Sequence, residues 1–139
     1  MQCPFCDIQK EKTRIILEKE LTYVAFSNPR LMPGHLLVIP KRHSEKLSEL
    51  TLPERQELFD TLVETQKKIL ELYASGCDIR QNARPFLPQG RLKVDHVHFH
   101  VQPREFKDAL YQKSQQFETE LFQDLPPEEQ AEFLGLFGH

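Results

Sequence analysis

The sequence is short of several things, and each shortage narrows what the chain can be. It has no tryptophan, so its ten phenylalanines carry the aromatic bulk and read as packing residues. No apolar run approaches the ~20 residues that a bilayer-spanning helix needs. No basic segment leads into an apolar stretch at the start, so no signal peptide is expected. Three cysteines, two of them at Cys3 and Cys6, do not make a disulfide framework, and they point to the reducing cytoplasm. Excess positive charge is missing as well. The formal net charge of −3 argues against a nucleic-acid backbone as the main partner, although a few local donors suffice for a small anionic ligand. There is no internal repeat and no low-complexity linker.

What is present describes one globular domain. At 139 residues, with 39% hydrophobic and 28% charged, the chain can bury a proper core. The charged stretch 9–20 reads as a loop holding a short strand around Ile15, Ile16 and Leu17. Residues 21–26 are rich in β-formers and stop at the turn Ser27-Asn28-Pro29. After a second turn at Pro33-Gly34, residues 35–39 form a nearly all-apolar strand buried on both faces, ended by Pro40. Thr51 with Glu54 three positions on has the capping-box spacing, and a helix follows over about 52–73. Its apolar stripe is Leu58, Phe59, Leu62, Val63, Ile69, Leu70 and Tyr73, facing core or a second subunit, and Gly76 suits its C-terminal glycine. Residues 77–82 and 94–102 read as strands, the latter closed by Pro103. The tail is helical in two pieces, the second starting after Pro126-Pro127, with its phenylalanines packing on a partner subunit; His139 reads as a disordered end or tag remnant. The order gives an α+β fold with a mainly antiparallel sheet.

One segment stands apart. In His96-Val97-His98-Phe99-His100, strand alternation puts three imidazoles on one face, roughly 7 Å apart, with Val97, Phe99 and Val101 on the other. Gln102 falls on the histidine face. A face that merely meets water carries Thr, Lys or Glu. Imidazole offers a nucleophile, a donor to phosphate, or a metal ligand. Attack by the central ring on phosphorus would split one displacement into two through a phosphoramidate, and a backbone carbonyl would fix its tautomer. Metal ligation by His-x-His pairs is the competing reading.

The segment His96 to Val101, followed by Gln102-Pro103-Arg104, resembles the signature of the histidine triad (HIT) superfamily. Pro33-Gly34-His35-Leu36-Leu37-Val38-Ile39-Pro40 and the opening Cys3-Pro4-Phe5-Cys6 resemble two further family motifs. The order and spacing match over roughly residues 3–104, closest to the bacterial, dinucleoside polyphosphate hydrolase-like branch. The resemblance implies a HIT-like α+β fold with one long helix and C-terminal helices, residues 1–112 forming the HIT domain and 113–139 a helical tail. It implies a hydrolase or nucleotidyltransferase acting at the α-phosphate of a nucleotide conjugate, through a covalent nucleotidyl intermediate on His98. His96 and His100 would orient that group and contact phosphate, with His35 beside them. Ser27 or Asn28 would lie at the ribose, and Asn82 and Gln102 near the nucleotide. The expected partners are a small nucleotide and a second copy of the chain, with no nucleic acid and no membrane. No cofactor is expected for catalysis. A structural zinc is implied by Cys3, Cys6, His43 and His96, which match the ligands of the family's zinc-containing branch. A metal-dependent hydrolase using the triad as ligands, and a nucleotide-binding protein without turnover, are the alternatives.

The chain departs from the family pattern ahead of the triad, where Gly90-Arg91-Leu92-Lys93-Val94-Asp95 replaces a Gly-Gln motif. Arg91 and Lys93 either meet a longer phosphate chain or solubilise the loop. Gln102 stands where an apolar residue is usual. Lys41 and Arg42 read as a solvated strand end, Arg104 as a surface residue and Cys77 as core.

Overall fold

A computed structural model describes residues 3–8 and 14–138. Part of the charged stretch, residues 9–13, and His139 lie outside the described residues. The chain divides into two compact units, Met1–Asp108 and Ala109–His139.

The first unit is an antiparallel five-stranded sheet and one long helix. The strands are β1 (Ile15–Glu18), β2 (Thr22–Phe26), β3 (Leu36–Pro40), β4 (Gly76–Arg80) and β5 (Phe99–Arg104), in the order β1-β2-β3-β5-β4. Short turns make β1, β2 and β3 an antiparallel meander, while α1 and the loop 81–98 carry the chain to β4 and back to β5. α1 (Leu52–Leu72) covers one face, over a core of Val24, Leu36, Val38, Leu50, Leu58, Leu62, Val97 and Val101. On the opposite face Tyr23, Ala25, Leu37 and Ile39 are covered by Phe5 and Ile8 of the N-terminal segment. β3 is buried along its whole length, as its apolar run predicts.

Several boundaries differ from the sequence reading, each for a local reason. The hydrogen-bonded part of the histidine strand begins only at Phe99, because Val97 N–H donates instead to the Ser44 carbonyl at 2.7 Å. Pro103 does not end that strand. It pairs with Cys77 inside it, on a sheet position where its missing N–H is tolerated. Gly76 is no helix cap; it opens β4 opposite Arg104, and α1 has already stopped at Leu72. The helix starts as expected: Thr51 Oγ1 accepts from Glu54 N–H at 3.3 Å, and Glu54 Oε1 accepts from Thr51 N–H at 2.8 Å.

The apolar stripe of α1 splits in two. Leu58 and Leu62 are buried together with Thr61 and Thr65. Those hydroxyls are satisfied within the helix, donating to the carbonyls of Glu57 and Thr61. Phe59, Val63, Leu70 and Tyr73 are exposed.

Two tight places position the loops around β3. Gly34 has φ +79°, which favours glycine, and a Cβ there would stand 2.8 Å from a ring carbon of Tyr73, so that ring would have to shift. Lys41 pairs with Glu18. Arg42 forks onto Glu54 at 2.9 and 2.8 Å, which holds that carboxyl down to about 2. The strand end read as solvated is thus tied to β1 and α1. Arg104, read as a surface residue, bridges Asp78 and Asp108.

The second unit holds α2 (Ala109–Lys113), a 3-10 segment Gln115–Glu120 and α3 (Pro127–Leu136). Phe133 and Phe137 stack one turn apart, and none of its helices buries a residue.

Candidate active site

Five imidazoles and two thiols gather along one path over the sheet face that carries Leu37 and Ile39. The sheet register explains why. His100 stands opposite Leu37 of β3 on one side and Arg80 of β4 on the other, and His35 lies just before β3 on the same alternation. His35 is buried, with its main chain locked to Met32 and Ser27.

The hydrogen bonds assign each ring a tautomer, because a main-chain N–H can only donate and a carbonyl can only accept. Leu31 N–H donates to His35 Nδ1 at 3.0 Å, so the His35 proton is on Nε2. That N–H points at His100 Nδ1, 2.9 Å away, which must accept. His100 therefore presents Nε2–H. His98 Nδ1–H donates to the His96 carbonyl at 2.7 Å, leaving a lone pair on Nε2. The backbone carbonyl expected to fix the central ring is thus the main chain of His96. His96 Nε2–H in turn donates to the Pro40 carbonyl at 2.8 Å, leaving a lone pair on Nδ1.

These lone pairs face different places. His98 and His100, with ring centroids 5.0 Å apart, line a cavity of about 340 Å³ together with His35, Ser27, Asn28, Arg14, Arg30 and Arg91. His96 does not line it. The ring is 1% exposed, and its Nδ1 lies 3.3 Å from Cys3 Sγ and 3.6 Å from Cys6 Sγ. The triad is not a row of three equal rings. Because the strand pairing starts after His98, His96 is free to turn toward the N-terminal segment.

Burial keeps the cavity histidines neutral. It pushes His35 down to about 4 and His100 to about 3, reinforced in both by the neighbouring His98 and in His100 also by Arg80 and Arg84. Burial lowers His98 as well, opposed by its bond to the His96 carbonyl. A neutral imidazole with a free nitrogen can attack; an imidazolium cannot.

Cys3, Cys6, His43 and His96 form a second cluster, with one ligand atom from each and all within 4.8 Å of one another. His43 Nδ1 is 3.4 Å from Cys6 Sγ, and its Nε2 faces Glu45. Tetrahedral bonds of about 2.1 and 2.3 Å place donor atoms roughly 3.5 Å apart, so this donor set fits a small divalent metal ion. Without a cation, burial and then Cys3 push the Cys6 thiol up to about 11.

The structure brings together His35, His98, His100, Ser27 and Asn28 at the cavity, and Cys3, Cys6, His43 and His96 at the cluster. Two expected residues are elsewhere. Asn82 is exposed beyond the end of β4, not in the strand, and lies outside the cavity lining. Gln102 is on the histidine face opposite Asp78, but is 2% exposed and also outside the lining. Lys93, one of the two loop cations, is committed to Asp95 and the Leu87 carbonyl. Phe5 was not foreseen. It packs edge-on against His98 at 4.9 Å and His96 at 5.9 Å, joining the two sites; its aromaticity between two cysteines was the only signal.

Comparison with known proteins gives this chain a family. A family model described as the HIT domain matches residues 9–107. A bis(5'-adenosyl)-triphosphatase of Saccharomyces cerevisiae is 30% identical over 105 residues, which is 72% of this chain and 50% of that enzyme. A bifunctional bis(5'-adenosyl)-triphosphatase/adenylylsulfatase of Arabidopsis thaliana is 31% identical over 110 residues, 76% of this chain and 60% of that one. The chain spans about half the length of the first of these relatives. Among solved structures, a HIT family member from Bacillus subtilis superposes with a TM-score of 0.67 at 26% identity, covering 77% of this chain and 76% of that one. A zinc-bound histidine triad family protein from Mycobacterium smegmatis gives 0.64 at 28% identity, covering 79% and 80%. With the family model spanning residues 9–107, most of the first unit, this chain belongs to the HIT domain family.

Proposed function

We propose that the protein cleaves a nucleotide conjugate at its α-phosphate through a covalent nucleotidyl intermediate on His98. The observation that carries this reading is the tautomer of His98: its Nδ1–H is spent on the His96 carbonyl, so Nε2 faces the cavity with its lone pair. That nitrogen attacks phosphorus, and the bond to the leaving group breaks with its electron pair. Water, or another acceptor in a transferase, then attacks the same phosphorus, and the P–N bond breaks to restore His98. His100 Nε2–H donates to a non-bridging oxygen, oriented by the His35–His100 hydrogen bond. Asn28 and Ser27 lie where the ribose would be, although the Ser27 hydroxyl already donates to the Pro29 carbonyl. Gln102 and Asn82 would have to move to take part. The cavity volume is at the low end of the ~300–1,000 Å³ of small-molecule sites.

His96 is a positioning residue in this reading. Cys3, Cys6, His43 and His96 would hold a structural zinc, which supplies a fixed four-ligand clip and takes no part in the displacement. The pair of thiols suits the cytoplasm. A second copy of the chain would pack on the exposed side of α1, beside edge strand β4.

The test is to trap the intermediate. With a radiolabelled dinucleoside polyphosphate, acid-labile label should appear on His98 in wild type. His98→Ala should lose turnover by at least about a thousandfold while keeping nucleotide affinity. Turnover without label on His98 sinks the covalent mechanism. Loss of turnover on chelation, with His98→Ala still active, would favour a metal-dependent hydrolase. Nucleotide binding without turnover of any conjugate would favour the non-enzymatic reading.

A further inference from the structure

His98 presents a lone pair to the cavity only while its ring stays aligned with the His96 carbonyl, because that bond keeps the proton on Nδ1. The torsion that swings an imidazole about its stem is soft, so one hydrogen bond does not by itself hold the plane. Packing has to do the rest. Among the described residues two rings stand edge-on to His98, His100 at 5.0 Å and Phe5 at 4.9 Å. His100 is held within the cavity by His35. Phe5 is held by the other cluster.

Phe5 is buried in the N-terminal turn, where the N–H groups of Cys6 and Asp7 both donate to the Cys3 carbonyl at 3.1 Å. The Tyr23 hydroxyl donates to the Phe5 carbonyl at 2.7 Å and pins that main chain to β2. On either side of Phe5, Cys3 and Cys6 face His96 and His43 at distances that suit four ligands of one ion. The same His96 supplies the carbonyl that fixes the His98 proton. The cluster therefore reaches His98 twice, through the His96 main chain and through the Phe5 ring. A turn that only had to close on an ion would accept a small residue between its cysteines. Here a ring fills that place, edge-on to the side chain that attacks.

We infer that Phe5 is a positioning residue for the His98 nucleophile, and that the Cys3–Cys6 turn, closed on His43 and His96 by a metal ion, holds it in place. Without the ion both ends of the turn are released and the Phe5 ring withdraws. His98 then turns away from the His96 carbonyl, its proton is shared between the two ring nitrogens, and the fraction of molecules ready to attack falls. Phe5 also packs on Tyr23, Leu37 and Ile39, so its test has to separate positioning from stability. The inference rests on His98 as nucleophile and on metal binding at the cluster, both proposed above.

The experiment reads the His98 ring itself, by long-range proton–nitrogen correlation spectra of the full chain loaded with zinc. His98 is assigned by the signals lost in His98→Gln. Wild type should show one tautomer, with Nδ1 protonated and Nε2 bare. Phe5→Leu, which keeps apolar bulk and loses the ring, should show the two tautomers mixed with zinc still bound, and so should wild type after chelation. Circular dichroism checks that each sample keeps its fold; where the chelated chain does not, loaded Phe5→Leu decides alone. A single His98 tautomer in folded Phe5→Leu overturns the inference. If the chain binds no zinc, the role of the ion is refuted, and Phe5→Leu in the ion-free chain decides that of Phe5. In turnover of a dinucleoside polyphosphate, Phe5→Leu should lower kcat about tenfold with KM within about threefold of wild type. A raised KM with kcat unchanged would make Phe5 a wall of the cavity and overturn its positioning role. If wild type turns over no nucleotide conjugate, the nucleotidyl-transfer reading fails, and the spectra still decide whether Phe5 holds His98.

Discussion

At the scale of single residues, the site is defined by which nitrogen of each histidine is occupied. Main-chain partners settle this for His35, His96 and His98, and His100 follows from His35. One consequence is a pH dependence of stability. His35 and His100 lie at about 4 and about 3 when folded, against about 6.5 in an unfolded chain. Above about 6.5 both states are neutral. Between there and about 4 the unfolded chain takes up protons that the folded chain refuses, so stability falls as pH falls. The thermal midpoint should therefore drop on acidification from pH 7 to pH 4. His35→Gln, which removes one of the two imidazoles, should show a shallower drop. An unchanged slope in that variant would mean that these rings are not the groups responsible.

Residue roles were unevenly legible. The triad, His35 and the Cys3–Cys6 pair are short-range patterns, and the sequence displays them directly. The reach of the Arg91 and Lys93 side chains was not legible: both precede the triad in one loop, yet one lines the cavity and the other folds back on Asp95. Only the course of the loop backbone separates them. Phe5 likewise takes its place from a fold-back of the N-terminal segment that no periodicity announces.

At the scale of elements, α1 shows both what a pattern carries and what it conceals. Its start is legible to the residue, because a capping box is a local contract between Thr51 and Glu54. Its faces are not. Hydrophobicity alone assigned Phe59 and Val63 to one stripe with Leu58 and Leu62, whereas the positions buried with the leucines are Thr61 and Thr65. Buried threonines escape a hydropathy reading, since their hydroxyls are satisfied only once the helix exists. Phe59 and Val63 instead border a wide apolar groove of about 850 Å³, with Leu47, Leu50, Ile79 and Phe99. Strand β4 beside it is paired on one side only, among the described residues. An apolar groove next to an open sheet edge suits an isologous contact, in which each copy covers the same patch on the other. Val63→Glu should convert a homodimer to monomer in sedimentation at micromolar concentration, with the fold kept in circular dichroism. A wild-type chain that already sediments as a monomer would refute this assignment.

At the scale of the whole molecule, the α+β class and sheet were legible because strand runs, turns and the long helix appear in an order that few architectures accept. The late start of β5 was not, since it depends on Val97 finding the Ser44 carbonyl, a contact between segments far apart in the chain.

The same separation governs the Cys/His cluster. Cys6 and His43 are 37 positions apart, and Cys3 and His96 are 93 apart, so the four ligands are neighbours only in the folded chain. Unfolding scatters them, and an ion held by all four is surrendered or left on two sulfurs. Folding and metal capture are then one equilibrium, and free metal concentration becomes a variable of stability alongside temperature. Above saturation, each tenfold rise in free zinc should add about 1.4 kcal/mol, seen as a thermal midpoint climbing with the logarithm of zinc activity. Cys3→Ser/Cys6→Ser should be flat over the same range; a midpoint in wild type that ignores zinc would show that the cluster binds none. Because Phe5 lies inside the Cys3–Cys6 turn and against His98, release of such an ion would loosen one wall of the cavity together with the fold's reserve of stability.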